Sequence, residues 1–252
     1  MTQIKGLIFD ADGVIINTPQ DEIWREALKS HGVSNFTTEE YNKLASGISR
    51  DQAVKNIFKH FGIRCTKAKM DTLYKKKQEV TDEYINKNRI SLYGSTLRFI
   101  LAARHLGLKV AVASSSKNAG KILNKSMIKE YVIYHEDKTV SHLFEHIISG
   151  TVQPGKPSPD IFLKAAKKIN LSPDKCIVFE DAVAGVQAAK KGGFYCVGID
   201  RTGIKKEMKA AKADFIVDDL RYLPWEYLLE DCKSDTVPKE SLLQIERIVC
   251  SY

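Results

Sequence analysis

Apolar positions along the chain fall into two alternating patterns. Short apolar runs rich in β-branched residues recur at Ile4 to Phe9, Lys109 to Ala113, Ile147-Ile148, Cys176 to Phe179, Tyr195 to Ile199 and Asp214 to Val217. Runs of this length read as strands buried on both faces, and the helix-like segments between them predict a mostly parallel sheet with helices on both sides. From about Asn17 to Asn88 only the helical period remains, with helices expected at Asp21 to His31, Thr38 to Ala45, Asp51 to Phe61 and Lys67 to Asn86. The tail carries two further helix-like stretches, Trp225 to Leu229 and Lys239 to Val249, and the connection from Lys129 to Thr151 is long.

This pattern predicts an α/β, Rossmann-like core made of residues 1–16 and 93–252, interrupted by an all-helical cap of residues 17–92. Both crossings into the cap are short, so it is expected to move as a lid over the strand ends and to exclude water from a reaction there. A length of 252 residues with 43% hydrophobic content supports a sizeable core. No run of about 18 apolar residues occurs and no leader precedes Ile4, which predicts a cytoplasmic protein with no membrane partner.

The five cysteines are odd in number, widely spaced and without a Cys-x-x-Cys pair, so they are expected to be reduced and mostly buried. A net charge of +8 raises the question of nucleic acid, a phosphorylated small molecule or mere solubility. The lysines lie in short groups without interleaved aromatics (Lys75 to Lys77, Lys167-Lys168, Lys190-Lys191, Lys205-Lys206), as on solvated helix faces. No nucleic-acid partner is therefore expected, and the expected state is a monomer or weak homodimer.

Ligands of open parallel sheets sit at the carboxyl ends of strands, and there this sequence concentrates its chemistry. Asp10 and Asp12 are two apart on an extended segment, so both can face one small volume, and Gly13 permits a tight exit. One carboxylate can attack phosphorus while the other manages a proton, although an Asp pair in an ordinary strand-to-turn junction has the same appearance. Glu180-Asp181 follows a strand and precedes a helix expected over Ala182 to Lys191. These are hard oxygen donors suited to Mg2+, or else acids complementing a helix dipole. Ser114, Ser115 and Ser116, then Lys117 and Asn118, follow the strand Val110 to Ala113 and suit phosphate oxygens, or serve only as a helix cap. Lys156, in Gly155-Lys156-Pro157, can balance carboxylate and phosphate charge. His142-Leu143-Phe144-Glu145-His146 matches the H-x-x-E-H pattern of some zinc proteases, but it leads directly into a strand and is read as accidental.

Together and in this order, these elements resemble the haloacid dehalogenase superfamily of phosphotransferases over roughly Ile4 to Asp219. The resemblance implies Asp10 as aspartyl nucleophile, Asp12 as general acid/base, Ser114 as phosphate-binding hydroxyl and Lys156 as the family's lysine. The candidate Mg2+ set is Asp10, Asp12, Glu180 and Asp181; in the expected cycle Asp12 stays off the metal and handles the proton. Within the superfamily the chain looks most like the β-phosphoglucomutase branch, whose members carry a helical cap after the first strand. By that likeness Ser115, Ser116, Lys117 and Asn118 contact substrate phosphate. Gly47-Ile48-Ser49-Arg50-Asp51 resembles the cap motif, with Arg50 phosphate-binding alongside Gly47, and Lys77 resembles a cap lysine that reaches the sugar.

The expected reaction is Mg2+-dependent phosphotransfer on a sugar phosphate through an aspartyl phosphate, interconverting β-glucose 1-phosphate and glucose 6-phosphate. The chain departs from the branch in having Asn17-Thr18 where Asp-Thr is usual, and in a short Pro19 to Trp24 segment without the branch's histidine. That departure bears on mutase activity more than on phosphotransfer. The alternative is a phosphatase of a small sugar or polyol phosphate, and the remote one a non-catalytic phosphosugar-binding protein.

Overall fold

The computed structural model describes residues 4–46, 50–132, 137–150 and 152–223. The chain runs through β1 (Gly6–Phe9), β2 (Ile16–Asn17), α1 (Gln20–Leu28), α2 (Thr38–Leu44), α3 (Arg50–His60), α4 (Lys67–Asn86), β3 (Ser91–Leu92) and α5 (Gly94–His105). It continues through β4 (Lys109–Ser114), α6 (Ala119–Lys125), β5 (His146–Ser149), α7 (Asp160–Lys168), β6 (Cys176–Glu180), α8 (Val183–Lys191), β7 (Tyr195–Ile199), α9 (Lys205–Ala210) and β8 (Phe215–Val217). Two compact units result, one of Met1–Asn17 with Leu92–Tyr252 and one of Thr18–Ser91. The helices expected at Trp225 to Leu229 and Lys239 to Val249 lie outside the described residues, as does Gly47.

In the α/β unit six strands form a parallel sheet in the order β5-β4-β1-β6-β7-β8. The first strand is central; the chain winds outward on one side through β4 and β5, then crosses to the other through β6, β7 and β8. The winding direction therefore reverses beside β1, the place where such sheets open a crevice for ligands. Register pairs Phe9 with Val112 on one side and Phe179 on the other, so Asp10 and Glu180 emerge at the same level of the carboxyl edge. Asp10 stays tied to the sheet by its N–H, which donates to Phe179 O at 2.9 Å.

Period-two alternation sends neighbouring residues of β1 to opposite faces. Ile8, Val178, Cys176 and Cys196 pack with Phe162 of α7, Val186 of α8 and Met208 of α9 in one buried cluster. Across the sheet Phe9 and Phe179 stack with centroids 4.4 Å apart, and Phe99 of α5 meets them edge-on at 6.3 and 5.4 Å. Burial pushes the Cys176 thiol up to about 12 and the Cys196 thiol higher still; neither is in a disulfide, and neither is Cys65, which is exposed.

The helical unit has its own core, including Trp24, Leu28, Phe36, Val54, Ile57, Phe58 and Leu73. Its helices begin where short polar side chains replace the missing backbone partners. Thr37 and Glu40 form a reciprocal capping box at α2, and Thr66 accepts from Lys69 N at 3.4 Å at α4. Among the described residues no helix is long and apolar enough to cross a membrane.

Expected boundaries shift by one to three residues at several elements. β4 runs on to include Ser114, because that residue still pairs with Ser149 of β5. α8 starts at Val183 rather than Ala182, which is extended at φ −119°, ψ 143°. Strand β8 begins at Phe215, since Asp214 turns its carboxylate to Lys190 Nζ and Cys196 N.

Candidate active site

Four loops of the α/β unit meet at the carboxyl edge. The first leaves β1 at Asp10 and turns immediately. Ala11 O accepts from the N–H groups of Val14, Ile15 and Ile16 at 3.3, 2.9 and 2.8 Å, and Gly13 N donates back to Ile16 O at 2.8 Å. Gly13 sits at φ +78°, and a Cβ there would lie 1.8 Å from Asp181 Oδ2. A glycine is therefore required twice, by the left-handed backbone and by the close approach of the β6 loop.

Lys156 lies in the loop before α7, with its ammonium 4.8 Å from the centroid of the Phe162 ring. Its Nζ donates to Asp10 Oδ1 at 2.5 Å and also to Glu180 Oε1. Glu180 is 1% exposed, and its second oxygen accepts from Ala182 N at 2.8 Å. One ammonium thus joins two carboxylates of adjacent strands. Burial disfavours the charged lysine, but Asp10 and Glu180 outweigh it and hold its pKa above the ordinary value. For Asp10 it is burial that wins: with help from Glu180 and Asp12 it pushes the carboxyl up to about 7 against the pull of Lys156. Asp181 is raised well above the ordinary range by burial and by repulsion from Glu180 and Asp10.

Such a set is short of positive charge, and its chemistry fits a divalent cation. Among the described residues no three Asp, Glu, His or Cys side chains are gathered as a preformed cage, and His142, Glu145 and His146 form no such group. Glu145 is instead engaged with Val110 N and Arg104. Mg2+ needs no cage; it binds through one or two carboxylates and fills its shell with water and phosphate oxygen. The residues present satisfy that requirement through Asp10 and Asp181. Glu180, expected among the metal ligands, has turned both oxygens to Lys156 and Ala182, because the sheet register sets it beside Asp10 and Gly185 leaves it room. Its carboxylate lies where a Cβ on Gly185 would be only 1.9 Å away.

The β4 loop forms the remaining wall. Ser114 is 2% exposed, and its Oγ accepts from Ser116 N at 3.2 Å, while Ser116 Oγ accepts from Asn118 N at 3.3 Å. Ser149 Oγ and Gly150 N donate to Ser116 O at 2.7 and 3.0 Å, bracing the loop from β5. Ser115 and Lys117 are exposed, and Asn118 caps α6 without a side-chain bond to it. The other expected contacts belong to the helical unit. Arg50 lies 5.7 Å from the centroid of the Tyr74 ring; Lys77 lies 4.9 Å from that of Trp24 and donates to Gln20 at 3.0 Å.

A fifth loop was not anticipated. Arg201, just past β7, donates from Nε to Gly13 O at 2.9 Å and from Nη1 to Asp219 at 3.3 Å, and its guanidinium lies 3.6 Å from the centroid of the Tyr93 ring. Its position immediately after a strand was the available signal.

Carboxylates, hydroxyls and an ammonium converging at the switch point of a parallel sheet are groups that can serve phosphoryl transfer. A family model, that of the haloacid dehalogenase-like hydrolases, matches residues 4–193, and the chain belongs to that family. It is an enzyme of the phosphotransferase or phosphatase type, in the branch that resembles β-phosphoglucomutase.

The β-phosphoglucomutase of Bacillus subtilis (strain 168) is 31% identical over 201 residues, covering 78% of this chain and 83% of that protein. The solved β-phosphoglucomutase from Pyrococcus sp. Strain ST 04 superposes with a TM-score of 0.70 at 26% identity, covering 90% of this chain and 98% of that one. A phosphatase lies at similar distance. The bifunctional riboflavin kinase/FMN phosphatase of Arabidopsis thaliana is 30% identical over 225 residues, covering 87% of this chain and 55% of that protein.

Proposed function

We propose that the protein is an Mg2+-dependent phosphotransferase acting on a sugar phosphate through an aspartyl phosphate on Asp10, most like β-phosphoglucomutase. The observation that supports this best is the Asp10–Lys156–Glu180 arrangement. A lone carboxylate at a strand tip becomes a directed nucleophile when a buried ammonium holds one oxygen at 2.5 Å and leaves the other for substrate. Asp10 and Asp181 would hold the Mg2+, which supplies positive charge against the phosphoryl oxygens.

In the first half-reaction a carboxylate oxygen of Asp10 forms a bond to phosphorus as the bond to the sugar oxygen breaks, and that oxygen takes a proton from Asp12. In the second, Asp12 recovers a proton from the acceptor hydroxyl as it attacks, and the Asp10–phosphorus bond breaks. Lys156 keeps Asp10 oriented throughout, and Ser114 presents its hydroxyl to the phosphoryl group. If the acceptor is a bound sugar phosphate the enzyme is a mutase; if it is water, a phosphatase.

The absence of a histidine in Pro19 to Trp24 favours the second reading, phosphatase of a small sugar or polyol phosphate, and one assay decides. The protein is incubated with Mg2+ and β-glucose 1-phosphate, primed with a bisphosphate, while glucose 6-phosphate and free phosphate are followed together. Isomer without phosphate is the expected result. Phosphate from many sugar phosphates with no isomer assigns the phosphatase, and full activity in Asp10→Asn overturns the covalent route for both.

A further inference from the structure

We propose that Arg201 is a positioning residue for Asp12: by holding the carbonyl of Gly13 it fixes the turn that presents the acid/base carboxylate. This rests on the assignment of Asp12 as the proton carrier.

The turn after β1 makes its own internal hydrogen bonds, yet three of its successive carbonyls are also gripped from outside. Ile15 O accepts from Tyr93 N at 2.9 Å, Val14 O from Thr96 Oγ1 at 2.8 Å and Gly13 O from Arg201 Nε at 2.9 Å. The first two grips come from the start of α5 and hold the far side of the turn. Arg201 holds the residue next to Asp12, reaching it from β7 across 188 positions of sequence.

Its side chain is only 16% exposed. One edge of the guanidinium meets Asp219, which is itself held by Ser95 Oγ at 2.8 Å and Arg221 N at 2.9 Å, and one face lies on Tyr93. A planar fork with one donor on a carbonyl, one on a carboxylate and a face on an aromatic ring has little freedom left, so it carries the position of Gly13 rigidly. Asp10 is secured independently, by Lys156 and by its own N–H to Phe179 O. Loss of Arg201 therefore loosens the proton carrier and spares the nucleophile.

That asymmetry gives the test. A sugar phosphate expels an alkoxide, which needs Asp12 to protonate it, whereas p-nitrophenyl phosphate expels a phenolate that does not. Rapid mixing measures the first phosphoryl transfer to the enzyme from each, using the sugar phosphate that the unaltered enzyme turns over fastest from a panel. In Arg201→Gln the step from the sugar phosphate should slow about 100-fold, the usual loss for a displacement of about 1 Å, while that from p-nitrophenyl phosphate changes by less than about threefold. Arg201→Lys keeps the charge without the fork and should recover no more than about tenfold of the loss. Tyr93→Leu removes the stacked ring but keeps the backbone donor, and should show the same split at about tenfold. Equal slowing of both substrates, or of neither, overturns the inference. Asp12→Ala separates the two levels: if it lacks the split, the assignment of Asp12 fails; if it shows the split and the Arg201 variants do not, only the role of Arg201 falls.

Discussion

Replacing Gly185 by alanine sets two physical effects against each other. Gly185 is inside α8, where alanine is better than glycine by about 1 kcal/mol on propensity, so the helix alone predicts a gain. The packing predicts the reverse. The new Cβ would sit 1.9 Å from both Cδ and Oε1 of Glu180 and 2.4 Å from Oε2, against an ordinary contact of 3.4 Å or more. Glu180 must retreat by about 1.5 Å, or the helix must lift by as much. The carboxylate has nowhere to go without releasing Lys156 or Ala182 N, since it is 1% exposed and bonded at both oxygens. Breaking a buried ion pair by displacing one member costs about 3–5 kcal/mol, so the net loss is about 2–4 kcal/mol. For a chain of this length that is a fall in Tm of about 5–15 °C. Urea and thermal unfolding followed by circular dichroism measure it, and turnover should fall with it because Lys156 also orients Asp10. A Gly185→Ala protein as stable as its parent, with Lys156 still on Asp10 in its crystal structure, would refute the claim that this glycine exists to make room for Glu180.

Two further outcomes follow from the same geometry. Gly13→Ala places a side chain at φ +78° and 1.8 Å from Asp181 Oδ2; displacing that oxygen should raise the Mg2+ concentration for half-maximal activity about tenfold or more, measured by Mg2+ titration of turnover. Asp219 gives a pH dependence. Burial opposes its ionisation, but donors from Arg221, Ser95 and Arg201 outweigh burial and hold its carboxyl below the ordinary value. Its contribution to stability is thus complete above the unfolded carboxylate pKa of about 3.9 and is lost as pH falls through the lower folded value. Asp219→Asn should be less stable at neutral pH and should show a shallower loss between about pH 4 and pH 2, measured by urea unfolding across that range.

Most strands were legible because a buried parallel sheet demands continuous apolar runs, and Tyr195–Ile199 was readable to the residue. Helix α4 was equally clear, since Thr66 supplies its N-cap and the apolar period holds to Asn86. β2 and β3 escaped because two residues each cannot display a period. At the site, the residue types at the tips of β1, β4 and β6 could be read from strand ends, but their pairing could not. That Lys156 bridges Asp10 and Glu180 depends on the β1–β6 register and on an absent Cβ at Gly185. Neither is written in the spacing of the three residues. Arg201 follows a strand as the others do, yet its partner is a backbone carbonyl, which leaves no side-chain signature.

The buried thiols have a use beyond packing. Cys176 and Cys196 lie inside the α/β core with their thiols held protonated, whereas Cys65 is exposed in the helical unit. A thiol-reactive dye will therefore tag Cys65 on the intact fold, but it reaches the other two only while the sheet is open. With Cys232 and Cys250 replaced, the rate of the slow tagging reports the opening free energy of the α/β unit alone, in buffer and without denaturant.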